Sequence, residues 1–504
     1  MHKLFAQVSE ITLLDQLKNG YENLIADTAK NLTYRPTIIY KDDNQYFKFL
    51  NIQYGISFNS KYPRSYNDGS VWKGKGITNE LNGGVQLRTG LLYATFYPVI
   101  FHSGNASYHM KSINPDQNKF NYQFGVSRNI DFVQRYGDNS FTEFNLGQSE
   151  LAFRTKHFHI AASTQNFTLG PSKYNGIIMS NGAPGFPHIV IGTPQKINLK
   201  IKNFDLGNAE INLYYGLLSE SNYFDTISNN NKSYLNALSI GYEIPYIKGL
   251  SVGFQKVLYK NTQHFNINDI YSMFHRHDKG IILSQNGDTL VDTNDKFDQL
   301  ASAHIEWKIS NQDMRIYFEF ARNDFNGTLR NLITEFEHSR AYSLGLEKAF
   351  KLKSGQNLHL SYEHTFLPRY LSYNYRPNPA FYTHNIVRQG YTNRGQLIGA
   401  GIGPGSVSDI FTSTWFRKNS YLGFMIQKIR FDEDYFITKI PNNLDKIKRH
   451  DVEYSLGLNY TLQKTNFIYG VNSTFSYRFN MFFEEGNDKI NFGGNLFIRY
   501  IIKK

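Results

Sequence analysis

The chain has 504 residues, 16% of them aromatic, with 36 Tyr, 40 Phe and 39 Gly, yet its mean hydropathy is only -0.46. A polar average carried by so many rings suits a membrane barrel, whose strands send alternate residues to lipid and to a wet lumen; a soluble β-sandwich or propeller is the competing class. Cysteine is absent, which excludes disulfides and thiolate chemistry. The formal charge of +12 comes without any basic run, so acidic lipid or acidic polysaccharide is a better partner than nucleic acid.

No stretch is apolar for the ~20 residues of a membrane helix. The most apolar, Leu91 to Phe101, is interrupted by Thr95 and Pro98. A closed barrel is then the architecture able to span a bilayer. The opening MHKLFAQ lacks the apolar core of a secretion signal, although Leu4-Phe5-Ala6-Gln7 resembles the tail of one. A signal peptide is therefore expected upstream in the reading frame.

Residues 1–30 are expected as an N-terminal periplasmic segment. Within it Leu14, Leu17, Tyr21 and Leu24 fall at helical spacing behind Ser9, which predicts one short amphipathic helix. Residues 31–504 are expected as the barrel, with no linker and no separate second domain. An aromatic strand candidate runs from Gln45 to Ser57.

From about residue 80 onward the period is two. Val452, Tyr454, Leu456, Leu458, Tyr460 and Leu462 alternate with Glu453, Ser455, Gly457, Asn459 and Thr461, one face for lipid and one for water. After a turn at Gln463 to Asn466, the next strand sets Phe467, Tyr469, Val471, Phe475, Tyr477 and Phe479 against Gly470, Asn472, Thr474, Ser476 and Arg478. Ala303 to Ile309 and Met314 to Phe320 form a similar hairpin around Asn311-Gln312-Asp313, and Tyr421 to Arg430 is a further strand. The last, Phe492 to Ile502, is placed to close the barrel against the first. With ~420 residues at about 25 per strand and its connections, the count is roughly 16 to 18. The polar segments Asp225 to Ser233, Asn261 to Asp298 and Arg376 to Gly395 are expected as extracellular loops.

Between the strands, Gly170 to Pro187 reads GPSKYNGIIMSNGAPGFP. Gly and Pro fix a backbone path, and Ser and Asn offer uncharged hydrogen bonds. Together with DGSVWKGKGITN (68–79), NIDFVQRYG (129–137), LGQS (146–149), STQNFTLGPSKYNGIIMSNGAPGFP (163–187) and YTHNIVRQGYTNRGQLIGAGIGPGS (382–406), this loop resembles the capsule assembly Wzi family of outer-membrane proteins. The resemblance implies an all-β, antiparallel transmembrane barrel of about 18 strands, its lumen plugged by inward-folded loops. It also implies a lectin-like role in holding capsular polysaccharide at the cell surface. Two departures stand out: one helix candidate in place of an N-terminal bundle, and Thr168-Leu169 where many relatives carry a Trp pair.

On this reading Gly170, Pro171, Gly182, Pro184, Gly185 and Pro187 shape a plug near residues 163–190. Ser180, Asn181 and His188 then offer hydrogen bonds either to saccharide or to the plug's own backbone. Trp72 stacks on a sugar or anchors the barrel at the interface. Gln134, Arg135, Gln165 and Asn166 serve sugar contacts or ladders across the lumen. Arg388, Tyr391 and Arg394 sit in a polar cluster, whose arginines suit uronic acids as readily as a solvated loop.

No catalytic motif is present: there is no G-x-S-x-G elbow, HExxH or P-loop, and neither Glu319 with Glu363 nor Glu335 with Glu337 declares an acid/base pair. A Ser/His site assembled from distant strands stays open. His275-Arg276-His277-Asp278 is too sparse for a metal site, and no cofactor is expected. The leading expectation is a non-enzymatic polysaccharide-binding barrel whose partners are outer-membrane lipid, lipopolysaccharide, capsular or other surface polysaccharide and an envelope protein complex. A porin, or a structural subunit of a secretion complex, is the alternative.

Overall fold

The computed structural model describes residues 31–36, 45–111, 117–122, 130–227, 230–275, 281–283, 289–291, 296–323, 329–352, 355–370, 380–440 and 446–502. The helix expected before residue 30 and the pair His277-Asp278 lie outside the described residues.

The described strands close into an antiparallel barrel of 18. Gln45–Asn59 is the first of them and Lys489–Tyr500 the last, paired from Ile52↔Tyr500 to Asn59↔Gly493. The aromatic segment at residue 45 is thus the strand on which the ring closes. Closure removes both sheet edges, which lipid would leave without hydrogen-bond partners.

Alternation accounts for the wall. In Val452–Lys464 the rings and leucines at 454, 456, 458 and 460 face outward, while Glu453, Ser455, Asn459 and Thr461 are buried within. Its partner Phe467–Phe479 follows after Thr465 and Asn466, with Thr465 in the left-handed region at φ 55. The hairpin Asp298–Ile309 and Met314–Asn323 turns through Asp313, also left-handed at φ 46. Exposed surface on this wall is lipid-facing surface, and the polar lining is the interior.

The two ends of the barrel differ. Tight connections (90–91, 155–158, 202–203, 244–249, 310–313, 352–356, 417–419 and 465–466) all fall at one end. Long ones (60–75, 104–140, 164–187, 220–231, 262–297, 324–339, 367–406, 431–451 and 480–488) fall at the other. Short turns mark the periplasmic side of such barrels, so the long connections are extracellular.

Two long connections turn inward. Residues 164–187 cross the lumen, and residues 380–406 of the connection 367–406 fold against them. The expectation for Arg376 to Gly395 is corrected here: in its described part, from residue 380, Phe381, Tyr382, Thr383, Tyr391 and Thr392 are fully buried. The segment has the composition of a solvated loop, but polar residues such as Gln389 and Asn393 hydrogen-bond inside the barrel, to Thr392 O and Pro184 O. The described parts of the connections 220–231 and 262–297 lie at the outer end, while Ser233, Asn261 and Asp298, at the edges of the segments expected as loops, belong to wall strands.

A third element enters from the opposite side. Tyr34–Pro36 pairs antiparallel with Phe167–Leu169 at the root of the plug loop. Leu32 N–H donates to Glu210 Oε2 at 2.7 Å, and Thr33 Oγ1 lies 2.9 Å from Glu210 Oε1 and 2.6 Å from Ser239 Oγ.

Candidate functional site: a charge-clamped plug beneath an aromatic cavity

The plug loop is seated on the wall opposite its own strands. Gly170 takes φ +89, and a Cβ there would lie 2.9 Å from Glu319 Oε1, so only glycine lets the chain pass this close to the carboxylate. Beyond it, three consecutive amides converge on Glu363: Lys173 N at 2.6 Å, Tyr174 N at 3.1 Å and Asn175 N at 2.8 Å. Tyr317 donates its hydroxyl to the same carboxylate at 2.5 Å. Ser172 Oγ donates to Glu319 Oε2 at 3.0 Å.

Around this seat lies a buried ion network. Lys173 Nζ reaches Glu347 Oε2 at 2.5 Å, and Arg315 bridges Glu347 and Glu306 at 2.6 Å each while donating to Pro171 O at 2.6 Å. Removing one partner from such a pair leaves an uncompensated buried charge, at about 3–5 kcal/mol. Glu319 and Glu363, weighed in the sequence for acid/base work, are therefore anchors of the plug.

The second inward loop locks the first. Tyr382 OH donates to Ile177 O at 2.8 Å and accepts from Ala400 N at 2.9 Å. Asn393 Nδ2 donates to Pro184 O at 2.9 Å. A third connection joins through Asp131 N to Gln389 O and Val133 N to Gly395 O, both at 2.8 Å.

Most of the polar residues singled out in the sequence lie within this assembly. Ser180 Oγ donates to Gly399 O at 2.6 Å, and Asn181 Nδ2 to Asn67 O at 3.0 Å. His188 Nδ1 sits 2.8 Å from Phe186 O, with its ring against Phe167 and Phe186. Asn166 Nδ2 donates to Ala183 O at 2.8 Å, and Gln165 is buried beside it. Arg135 caps the carbonyl of Asn105 at 2.9 Å and pairs with Asp138 at 3.0 Å. Tyr391 is fully buried between the rings of Tyr259 and Tyr382. Of the plug residues, Gly170, Pro171 and Pro184 are buried and Gly182 and Gly185 half-buried, whereas Pro187 is exposed, at the end of the loop where it rejoins the wall. Arg388 and Arg394 are exposed at the outer side, the latter bound to Glu143 at 2.7 Å.

Above the plug, among the extracellular connections, is a cavity of about 140 Å³ to which Trp72 and Gln134 both contribute. Its walls are rings from loops far apart in sequence: Tyr66, Tyr108, Tyr122, Phe132, Phe431 and Phe482. Arg478 forms a bidentate pair with Asp451 at 2.6 and 2.7 Å and lies 4.0 Å over the Phe431 ring. Tyr108 OH donates to Gln134 O at 2.9 Å, and Tyr122 OH to Asp432 Oδ2 at 2.8 Å. Gln134 Oε1 and Trp72 Nε1 are both buried with no hydrogen-bond partner among the described residues. Aromatic faces with an unused acceptor and an unused donor suit a small polyhydroxylated molecule, since pyranose C–H faces stack on rings and hydroxyls pair with polar groups.

Burial also sets the charge of this rim. Asp432 is pushed up to about 7, chiefly by desolvation and then by neighbouring Asp434, which is itself pushed up to about 6 by burial against the pull of Arg369. Among the described residues no group of three or more His, Cys, Asp or Glu is placed to hold a metal ion.

Sequence reading missed Arg315, Glu306 and Glu347, although charged residues at inward positions of aromatic strands were the available signal. It also missed the loop rings, whose meeting depends on contacts such as Arg64 with Glu453, 3.1 Å apart though 389 residues separate them in sequence.

The family described as capsule assembly protein Wzi matches residues 99–463. Among solved structures, the Escherichia coli Wzi protein, described as an outer-membrane protein involved in group 1 capsule assembly and a carbohydrate-binding β-barrel, superposes with a TM-score of 0.61 at 11% identity, covering 90% of this chain and 85% of that one. OprD of Pseudomonas aeruginosa follows at a TM-score of 0.41 and 10% identity over 94% of this chain and 95% of its own. OccAB4 of Acinetobacter baumannii gives 0.40 at 11% identity over 91% and 99%. No curated protein matches the sequence. With the family match covering most of a closed, plugged barrel, the chain belongs to the capsule assembly protein Wzi family and is a protein of the bacterial outer membrane.

Proposed function

We propose that this protein is a non-enzymatic, lectin-like barrel that binds capsular or related surface polysaccharide and helps attach or assemble it at the cell surface. The observation that carries this reading is the aromatic cavity among the extracellular loops, set above a lumen filled by clamped loops. Trp72 and Gln134 supply a ring, an unused donor and an unused acceptor, and Tyr66 supplies a second ring. The exposed guanidinium of Arg388 offers charge to the uronic acids of an acidic glycan, and Arg394, paired with Glu143, offers the donors that pair leaves. The description of Escherichia coli Wzi as carbohydrate-binding supports the same chemistry. Binding then comes from weak contacts repeated along a polymer, so avidity replaces single-site affinity.

The test is capsule retention. A deletion strain is expected to shed polysaccharide into the medium, and complementation with Gln134→Ala or Tyr66→Ala to restore the barrel in the membrane but only part of the retained capsule. A deletion strain that keeps all its capsule on the cell refutes the proposal.

A further inference from the structure

One stretch of the outer wall is not smooth. The third strand is interrupted between Leu92–Phe96 and Val99–Ser103, and its neighbour between Phe141–Asn145 and Glu150–Arg154. The second interruption is the Leu-Gly-Gln-Ser block at 146–149, whose Gln148 holds Asn166 at the root of the plug through bonds of 2.8 and 3.0 Å. Its backbone closes onto Tyr97: Gln148 N donates to Tyr97 O at 2.9 Å, and Ser149 Oγ accepts from Tyr97 N at 3.1 Å. Gly147 has φ +57, and a Cβ there would fall 2.5 Å from Tyr97 O.

Beside this break the register places seven outward residues on one rung: Phe47↔Leu87, Leu87↔Ala94, Ala94↔Leu151, Leu151↔Ala162, Ala162↔Ile189 and Ile189↔Tyr215. Ala94 and Ala162 are the small members of the rung, one on each side of Leu151, so the wall dips at both positions between larger side chains. The result is an apolar groove of about 850 Å³ on the lipid-facing surface, reaching Leu217 and Tyr234 near the extracellular end of their strands. Exposed Lys232 lies two residues beyond Tyr234, on the same face at that outer end.

A groove continuous with the bilayer interface is filled by hydrocarbon, and in a bilayer close packing, not water release, decides what stays. We infer that this groove is a binding seat for an acyl chain of a phosphorylated outer-leaflet glycolipid, with its phosphate toward Lys232. The seat is separate from the glycan cavity and does not depend on it. The Leu146–Ser149 break relieves the wall so that the chain lies in the barrel surface, not on it.

The test uses the intact barrel in nanodiscs of phosphatidylethanolamine doped with lipid A, transferred to mild detergent and weighed by native mass spectrometry. The wild-type protein is expected to retain one lipid A per barrel. Ala162→Trp and Ala94→Phe fill the groove with apolar bulk at lipid-facing sites and are expected to lower that fraction at least tenfold. Leu456→Trp, on a regular part of the outer wall, is expected to leave it unchanged. Heat-modifiable gel mobility reports folding of each variant; if one groove variant fails to fold, the other decides. A wild-type barrel emerging lipid-free, retention of phosphatidylethanolamine in place of lipid A, or equal retention in a folded groove variant and the wild type would overturn the assignment.

Discussion

Replacing Glu363 with alanine removes the acceptor shared by the amides of Lys173, Tyr174 and Asn175 and by the Tyr317 hydroxyl. Glu363 is fully buried, so no bulk water takes its place. A buried donor left without a partner costs ~1–3 kcal/mol, which for these amides sums to roughly 3–9 kcal/mol as an upper range because effects in one network are not additive. The loss falls on the plug, since the barrel ladder on either side of residue 363 is untouched. Two measurements follow. Urea unfolding in lipid vesicles should shift to lower denaturant, and planar-bilayer recordings, silent for the wild-type barrel, should show intermittent openings as the plug leaves its seat. Glu363→Gln keeps one acceptor oxygen without the charge and should lie between the two. A Glu363→Ala barrel with wild-type unfolding and a silent trace refutes the anchoring argument, and large steady conductance in the wild type refutes the plug as a seal.

Gly170→Ala forces a side chain into the left-handed region and onto Glu319, with an expected loss of about 1–2 kcal/mol in the same unfolding assay before any displacement of Glu319. Leu456→Lys sets a charge on the lipid face and should cost about 2–4 kcal/mol if the position is near the bilayer midplane, read as poorer insertion by heat-modifiable mobility. Asp432 has a folded value of about 7, raised above its ordinary 3.8. Its contribution is therefore present below about pH 4 and is lost as pH rises through about 7. Residues 431–440 should accordingly show stronger hydrogen-exchange protection, after correction for intrinsic rates, near pH 5 than near pH 8, and Asp432→Asn should flatten that difference. Equal protection at both would refute burial as the cause.

The strands were legible because alternation is local: each outward ring and each inward polar group reports its own surroundings, as along Val452–Lys464. The same pattern, counted along the chain, bounds the strand number, and the amphipathic last strand announces closure. The Gly/Pro loop announced a special backbone path for the same reason, since Gly170 needs its positive φ whatever lies around it. The direction in which a long polar loop folds is not local. Gly170 to Asn175 goes inward because Glu319, Glu347 and Glu363 wait on the far wall, the last 188 residues from Asn175. The segment at 380–395 follows because its tyrosines and amides find the plug and not water. The cavity likewise needs Trp72 and Gln134 brought beside Tyr66 and Phe431. Periodicity carries no information about such meetings, because they are set by closure of the ring, and only the tertiary structure decided that polar loop residues would spend their hydrogen bonds on one another.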